Sequence, residues 1–291
     1  MKIAFIGFGE AARAFAGSLR EHQDLSFSAY DILLGTGEEA PIRDAAARLG
    51  VRLANDPAGA VADAEWIVSA VTAADSLDAA RSVSGHLGEG QVFVDINSVS
   101  AGRKRETAKG VAGNGAAYVD MAVMAPVHPR GHRTPVLIAG PACDAVKDRM
   151  SALGFSFEIA GPNIGDATAI KMVRSMFVKG LEVVTVQALL AARASGCLDA
   201  VMASLSGSFP QFDWAEFPNY QIERMAHHGI RRAAEMEESA VTMRELGLPA
   251  GHQLGQAIAA LELEIGGHRI DVDDREELVA MLDKVLAALR A

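Results

Sequence analysis

"KIAFIGFGEAARAFAGSL", Lys2 to Leu19, decides the fold. The first residues make a near-continuous apolar run, the pattern of a strand buried on both faces of a parallel sheet. Gly7, Gly9 and Ala12 then form a G-x-G-x-x-A turn, and "EAARAFAGSLREH" takes up helical periodicity behind it. In such a strand–turn–helix unit the first glycine permits a tight turn and the second lets backbone approach a pyrophosphate. A small third residue keeps the helix close to the sheet, and the helix N-terminus meets the phosphates. Gly7, Phe8, Gly9, Glu10, Ala11 and Ala12 are therefore read as a dinucleotide-binding turn. Lys2, the apolar run and "AFA" also imitate a secretory signal. The glycines and Glu10 interrupt the run where such a signal should continue, so the strand reading stands.

Asp31 closes "FSAYD" 22 residues after Gly9, where the ribose-binding acid of this unit belongs. A carboxylate there bonds a ribose 2′-hydroxyl and repels a 2′-phosphate. The next stretch adds Glu38 and Glu39 and no cation before Arg43, so NAD is the expected cofactor. NADP stays open, because alanine at the third glycine position occurs with it as well. Val71 and Thr72, ending "IVSAVT", and Asn97, after "VFVDI", close further strands and should line the cofactor by the same geometry.

Short strand-like runs alternate with helical ones as far as "FSFEIAG", which argues for a mostly parallel sheet with helices on both faces. From Asp166 the chain is helical nearly to its end. The expected fold is α/β: a Rossmann-type doubly wound sheet over 1–162, then an all-α domain over 163–291. "GSFPQFDWAEFPNY" is the one irregular patch in the second half.

A net charge of −10 with no basic run argues against nucleic acid. No run of about 20 uninterrupted apolar residues suggests a membrane span. Cys143 and Cys197 stand far apart and read as reduced thiols, so a cytoplasmic protein is expected. His128 and His132 are four apart but have no acidic or thiol ligand beside them, and no metal site is expected.

In so acidic a chain an anionic ligand needs a local group of cations. "AIKMVRSMFVKGLE", Ala169 to Glu182, supplies one: Lys171 and Arg174 lie three apart in an apolar helix, about 60° apart around its axis. Burial and the neighbouring guanidinium would both lower the lysine pKa and fit it to take a hydroxyl proton. Arg174 would hold a carboxylate or phosphate through its two-pronged guanidinium. The bland alternative places both on a solvated helix edge. The helix itself is too apolar to face water, which predicts burial between the domains and against a second subunit, in a homodimer with exchanged helical contacts.

These residues resemble the β-hydroxyacid dehydrogenase superfamily, whose members include 6-phosphogluconate and 3-hydroxyisobutyrate dehydrogenases. "GDATAIKMVRS" occupies the place of its catalytic motif G-x-x-x-x-x-K-x-x-N-N, and "VDMAVMAPVHP" that of its substrate motif D-A-P-V-S-G-G. Lys171 then matches the catalytic lysine, while Arg174 and Ser175 stand where the family has two asparagines. Asp120 and Val123 match the other motif, and Met124, Ala125 and Pro126 replace its Ser-Gly-Gly. The chain is also similar to a phosphogluconate-dehydrogenase-like branch in which "NSVS", "VMAPV", "IKMVRS" and "HHGIRRAAEMEE" recur together.

The resemblance implies hydride transfer between a nicotinamide cofactor and a small, anionic hydroxy acid or its aldehyde or keto partner. Lys171 would be the general acid/base, and Arg174, Ser175, Ser98, Asn97 and Met124 would surround the substrate. Ser98 or Ser100 fits a helix N-cap equally well. "APVHPRGHRTP" gathers His128, Arg130, His132 and Arg133, either for an anion or as a solvated loop. His228, Arg231, Glu235 and Glu238 share one helical face, a salt-bridged surface unless His228 reaches the pocket. Two other functions stay open: an imine-reductase-like NADPH enzyme and a non-catalytic dinucleotide sensor.

Overall fold

β1 (Lys2–Ile6) buries four of its five residues and lies between parallel β2 (Ser26–Tyr30) and β4 (Trp66–Ser69) in a computed structural model that describes residues 1–291. The sheet continues through β3 (Arg52–Leu53) on one side. On the other run β5 (Val92–Asp95), β6 (Ala117–Val123), β7 (Val136–Ala139) and β8 (Phe157–Gly161). The order is β3-β2-β1-β4-β5-β6-β7-β8. The chain leaves β1 toward β2 and crosses back to β4, and that reversal opens a crevice at the carboxyl ends of β1 and β4.

Helices α1 (Glu10–Leu19), α2 (Ala40–Leu49), α3 (Pro57–Val61), α4 (Ser76–Ser84) and α5 (Ala101–Ala112) connect the first six strands. All of those pairings are parallel. Local chemistry sets several helix ends. Asp56 caps α3 through the Gly59 amide, and Gly50 ends α2 at φ +68°, the left-handed region that glycine enters freely. The alternation breaks once. β6 and β7 pair antiparallel, because the segment between them holds only a 3-10 turn at Gly131–Arg133 and no crossover helix. α6 (Cys143–Ala152) restores a parallel partner in β8. Phe5, Phe8 and Phe15 fill one face of the sheet, and Ile67, Val83 and Phe93 the other.

The remaining helices are α7 (Asp166–Ala194), α8 (Leu198–Ser208), α9 (Phe217–Glu245), α10 (Pro249–Gly267) and α11 (Leu278–Leu289). α9 and α10 approach backbone to backbone: a Cβ on Gly229 would lie 2.2 Å from the Glu262 carbonyl oxygen. Val186, Leu189, Met225, Met236, Ile265 and Met281 form the apolar core of this unit. α7 is long and apolar enough, by length and composition, to cross a membrane. Yet its Lys179 and Glu182 are buried and hydrogen-bonded, to Glu235 and Arg232, inside the helical unit.

The chain divides into compact units at Met1–Lys171 and Met172–Ala291, within α7 and not in the loop near residue 162. The first turns of α7 go with the sheet because they are bonded to it: Asp120 Oδ2 accepts from the Gly165 and Thr168 amides, each at 3.1 Å. The irregular patch is also shorter than the sequence suggests, since α9 starts at Phe217.

Candidate active site

Gly7 follows β1 at φ +83°, and a Cβ there would lie 2.5 Å from the Ala70 carbonyl oxygen, so only glycine lets β4 close on this turn. Gly9 caps α1 with no neighbouring atom within 4 Å of where a side chain would begin, and Ala12 is fully buried against the sheet. A tight turn with an open face at a helix N-terminus fits a pyrophosphate. Glu10 is exposed and Ala11 half-buried at the start of α1.

Asp31 is fixed beside the turn. Its Oδ2 accepts from the Phe8 amide at 2.8 Å and its Oδ1 from the Leu33 amide at 3.0 Å. Phe8 sits within the turn itself. Its ring is fully buried in the core, its amide goes to Asp31, and its carbonyl accepts from Arg13 Nε at 2.7 Å. Phe8 thereby anchors the turn to the core beneath it.

Asn97 is held by the strands around it. Its Oδ1 accepts from the Val71 amide at 2.7 Å, and its Nδ2 donates to Ser69 Oγ at 2.9 Å. The buried amide side chain thus ties the ends of β4 and β5 together at the carboxyl end of the sheet. Thr72 is exposed, with its hydroxyl donating to Asp75 Oδ2 at 2.5 Å.

Ser98 and Ser100 separate cleanly. Ser100 is the N-cap of α5 and accepts from the Arg103 amide. Ser98, half-buried beyond β5, accepts a hydrogen bond from Lys171 Nζ at 2.6 Å. One turn earlier on α7, Thr168 Oγ1 donates to the Val99 carbonyl at 2.7 Å. The lysine and the serine therefore meet at the carboxyl end of the sheet, on the side of the glycine turn.

Beneath them lies a fully buried charged group that the sequence reading did not assemble. Lys104 Nζ stands 3.0 Å from Asp95 Oδ1 and 3.4 Å from Asp120 Oδ1. Tyr118 donates its hydroxyl to Asp95 Oδ2 at 2.7 Å. Burial raises the Asp120 carboxyl above its ordinary range, with Lys104 opposing, and burial with the Asp95 charge drives the Tyr118 phenol well up. Of this group the sequence reading singled out only Asp120, as a motif match; Lys104 lies in the polar run "AGRKRETAKG".

Met124 is half-buried, packed beside Ala122, Ala139 and Ala167, with its amide bonded to the Pro135 carbonyl. The loop after it is half structural. His132 is fully buried, bonded through its ring to Ser18 Oγ and the Leu153 carbonyl, and burial holds its pKa below the usual histidine range. Arg133 pairs with Glu21 at 2.7 Å, while His128 and Arg130 are exposed.

In the helical unit Arg174 is exposed and Ser175 half-buried, one turn of α7 beyond Lys171. His228 is half-buried on α9; burial first, then Arg224 and Arg231, hold its pKa down. The face it belongs to is ion-paired, with Glu235 bound by both Arg231 and Lys179.

Residues 2–98 match the family described as "NADP oxidoreductase coenzyme F420-dependent", and residues 192–262 match a domain of unknown function, DUF1932. A conserved hypothetical protein from Sinorhizobium meliloti is 33% identical with a TM-score of 0.80, over 99% of this chain and 97% of that one. A second conserved protein of unknown function, described as structurally similar to 3-hydroxyacid dehydrogenases, is 26% identical (TM-score 0.71, 91% and 98% covered). The 3-hydroxyisobutyrate dehydrogenase of Mycobacterium tuberculosis, solved with L-serine, shares the fold at 16% identity (TM-score 0.74, 98% of each chain). Imine reductases share it too, one from Myxococcus stipitatus solved with NADP+ (20% identity, TM-score 0.58, 98% and 100% covered).

Proposed function

Because the chain belongs to the β-hydroxyacid dehydrogenase superfamily, we propose that it is an NAD(P)-dependent oxidoreductase of small hydroxy acids, with Lys171 as general acid/base. The 2.6 Å bond from Lys171 Nζ to Ser98 Oγ carries this reading. It sets a proton-transfer group and a hydroxyl side by side at the carboxyl end of the sheet, where ligands of open α/β sheets bind.

The glycine turn from Gly7 to Ala12 would hold the pyrophosphate, with Val71 and Thr72 along the crevice. Asp31 would take the adenosine ribose. Its carboxylate favours a 2′-hydroxyl over a 2′-phosphate, which supports NAD ahead of NADP. When bound, the nicotinamide accepts or supplies the hydride.

The chain's own residues do the rest. In oxidation the neutral Lys171 amine takes the proton of the substrate hydroxyl as the carbonyl forms; in reduction its ammonium returns that proton. Ser98 orients the lysine and offers its hydroxyl to the same substrate oxygen. Arg174, one turn along α7, would hold the substrate carboxylate or phosphate with Ser175 beside it. Met124 would shape the pocket, and His128 and His228 are further candidates for reaching an anionic substrate. The partners are then a small molecule and a second copy of this chain, with neither nucleic acid nor membrane, in the cytoplasm.

The deciding experiment follows nicotinamide reduction over carboxylated, phosphorylated and neutral hydroxy compounds, with NAD and NADP in parallel. Turnover confined to anionic substrates supports the reading. Turnover of cyclic imines alone would favour an imine reductase, and dinucleotide binding without any turnover a sensor.

A further inference from the structure

The Asp120 carboxylate is fully buried and touches no solvent. Its Oδ2 accepts from two amides at the start of α7, Gly165 and Thr168, so it caps the helix across 45 residues of sequence. Its Oδ1 accepts no hydrogen bond and faces the Lys104 ammonium at 3.4 Å. Lys104 is in turn held by the Asp95 carboxylate and by the Asp95 carbonyl at 2.6 Å. Asp95 ends β5, three residues before Ser98. Lys171 lies one turn after Thr168 on the same face of α7.

We propose that Asp120 is a positioning residue for Lys171: its buried carboxylate, anchored through Lys104 to the end of β5, fixes the first turn of α7 so that Lys171 meets Ser98. This rests on the reading of Lys171 as the acid/base group. The same helix start bears on the lysine electrostatically. An unopposed helix N-terminus acts as about half a positive charge, which disfavours a nearby ammonium, and the Asp120 anion offsets it. One side chain therefore sets both where Lys171 sits and how readily it holds its proton. Asp120 lies in the segment that replaces the substrate motif, yet its buried carboxylate faces backbone amides and Lys104.

Asp120→Asn tests this, because the amide oxygen can still accept from backbone while the charge is gone. The titration of Lys171 is read without turnover, from the pH dependence of its trace acetylation followed by peptide mass spectrometry. The expected result is a Lys171 titration displaced to lower pH by roughly half a unit to one unit. A fall of about tenfold in kcat should accompany it, with dinucleotide affinity unchanged. Thr168→Val, which breaks only the uncharged tie to Val99, should lower kcat and leave the titration in place. If Asp120→Asn does not fold, the smaller Asp120→Ser carries the same readout. A Lys171 titration identical in the charge-free variant and the parent overturns the proposal. Silence in every turnover assay, with the titration still displaced, refutes the dehydrogenase reading alone.

Discussion

Lys171 Nζ donates to Ser98 Oγ across 2.6 Å, joining the start of α7 to the loop beyond β5. The two residues are 73 positions apart in sequence, and their meeting is the centre of the candidate site. General acid/base groups contribute about 10²–10⁴-fold to rate. Lys171→Met should therefore lower kcat by at least about a hundredfold while dinucleotide affinity stays within about twofold. Ser98→Ala should cost less, because it removes the orienting group and leaves the amine. Steady-state kinetics with fluorescence titration of the reduced cofactor checks both, and a Lys171→Met enzyme with parental kcat would refute the assignment.

Arg174→Ala should raise KM for carboxylated or phosphorylated substrates and leave that for a neutral hydroxy compound unmoved. A charge-assisted hydrogen bond is worth about 1.5–3 kcal/mol, or about 10–150-fold. Arg174→Lys should recover only part of the loss, since an ammonium lacks the paired donors. Equal losses on charged and neutral substrates would remove Arg174 from anion recognition.

Asp31→Ser should move cofactor preference toward NADP by about tenfold or more, because the carboxylate opposing a 2′-phosphate is gone. The same change removes the acceptor of the Phe8 and Leu33 amides, so the melting temperature should fall as well. The ratio of kcat/KM for the two cofactors tests the first point and calorimetry the second.

Glu182 predicts a pH dependence of stability. Burial pushes its carboxyl from 4.5 up to about 8, with Arg232 pulling against it and the Glu262 charge adding to the rise. Because the folded value is raised, the native chain keeps a proton that the unfolded chain releases between these limits. Stability from this group is therefore full below about 4.5 and is lost as pH rises toward about 8. Glu182→Gln should flatten that slope and be the more stable protein at alkaline pH, by on the order of 1–3 kcal/mol. Urea melts across this range decide it; a wild-type stability that rises with pH in step with the variant contradicts the assignment.

α7 leaves Ile170, Val173, Phe177 and Val184 exposed at 46–72% on the surface of a single chain. Covering such a stripe is the physical reason to expect a dimer. Sedimentation at micromolar concentration should give twice the mass of one chain, and Phe177→Glu should shift the species toward monomer. A monomeric parent protein would end this prediction.

The dinucleotide turn was legible in sequence because its constraints are local. Gly7, Gly9, Ala12 and the preceding strand lie within eleven consecutive residues, and backbone sterics alone dictate their types. Lys171 stood out for the same reason, as a cation in an apolar helix. The change from alternating strands to continuous helix likewise placed a Rossmann half before an α-helical one.

Tertiary structure alone decided the rest. Asn97 and Ser98 are neighbours in sequence, yet one is spent on holding β4 to β5 and the other faces Lys171. No periodicity distinguishes them, since their roles depend on which distant amide or ammonium arrives beside each. Ser98 against Ser100 was settled by where α5 begins. The antiparallel β7 followed from a connection too irregular to form a crossover. In a linear reading Lys104 looks like an ordinary surface charge, and nothing connects it to Asp95 or to the motif residue Asp120. They become one buried group because β5, α5 and β6 pack together, and desolvated charges are tolerated only when folding supplies their partners.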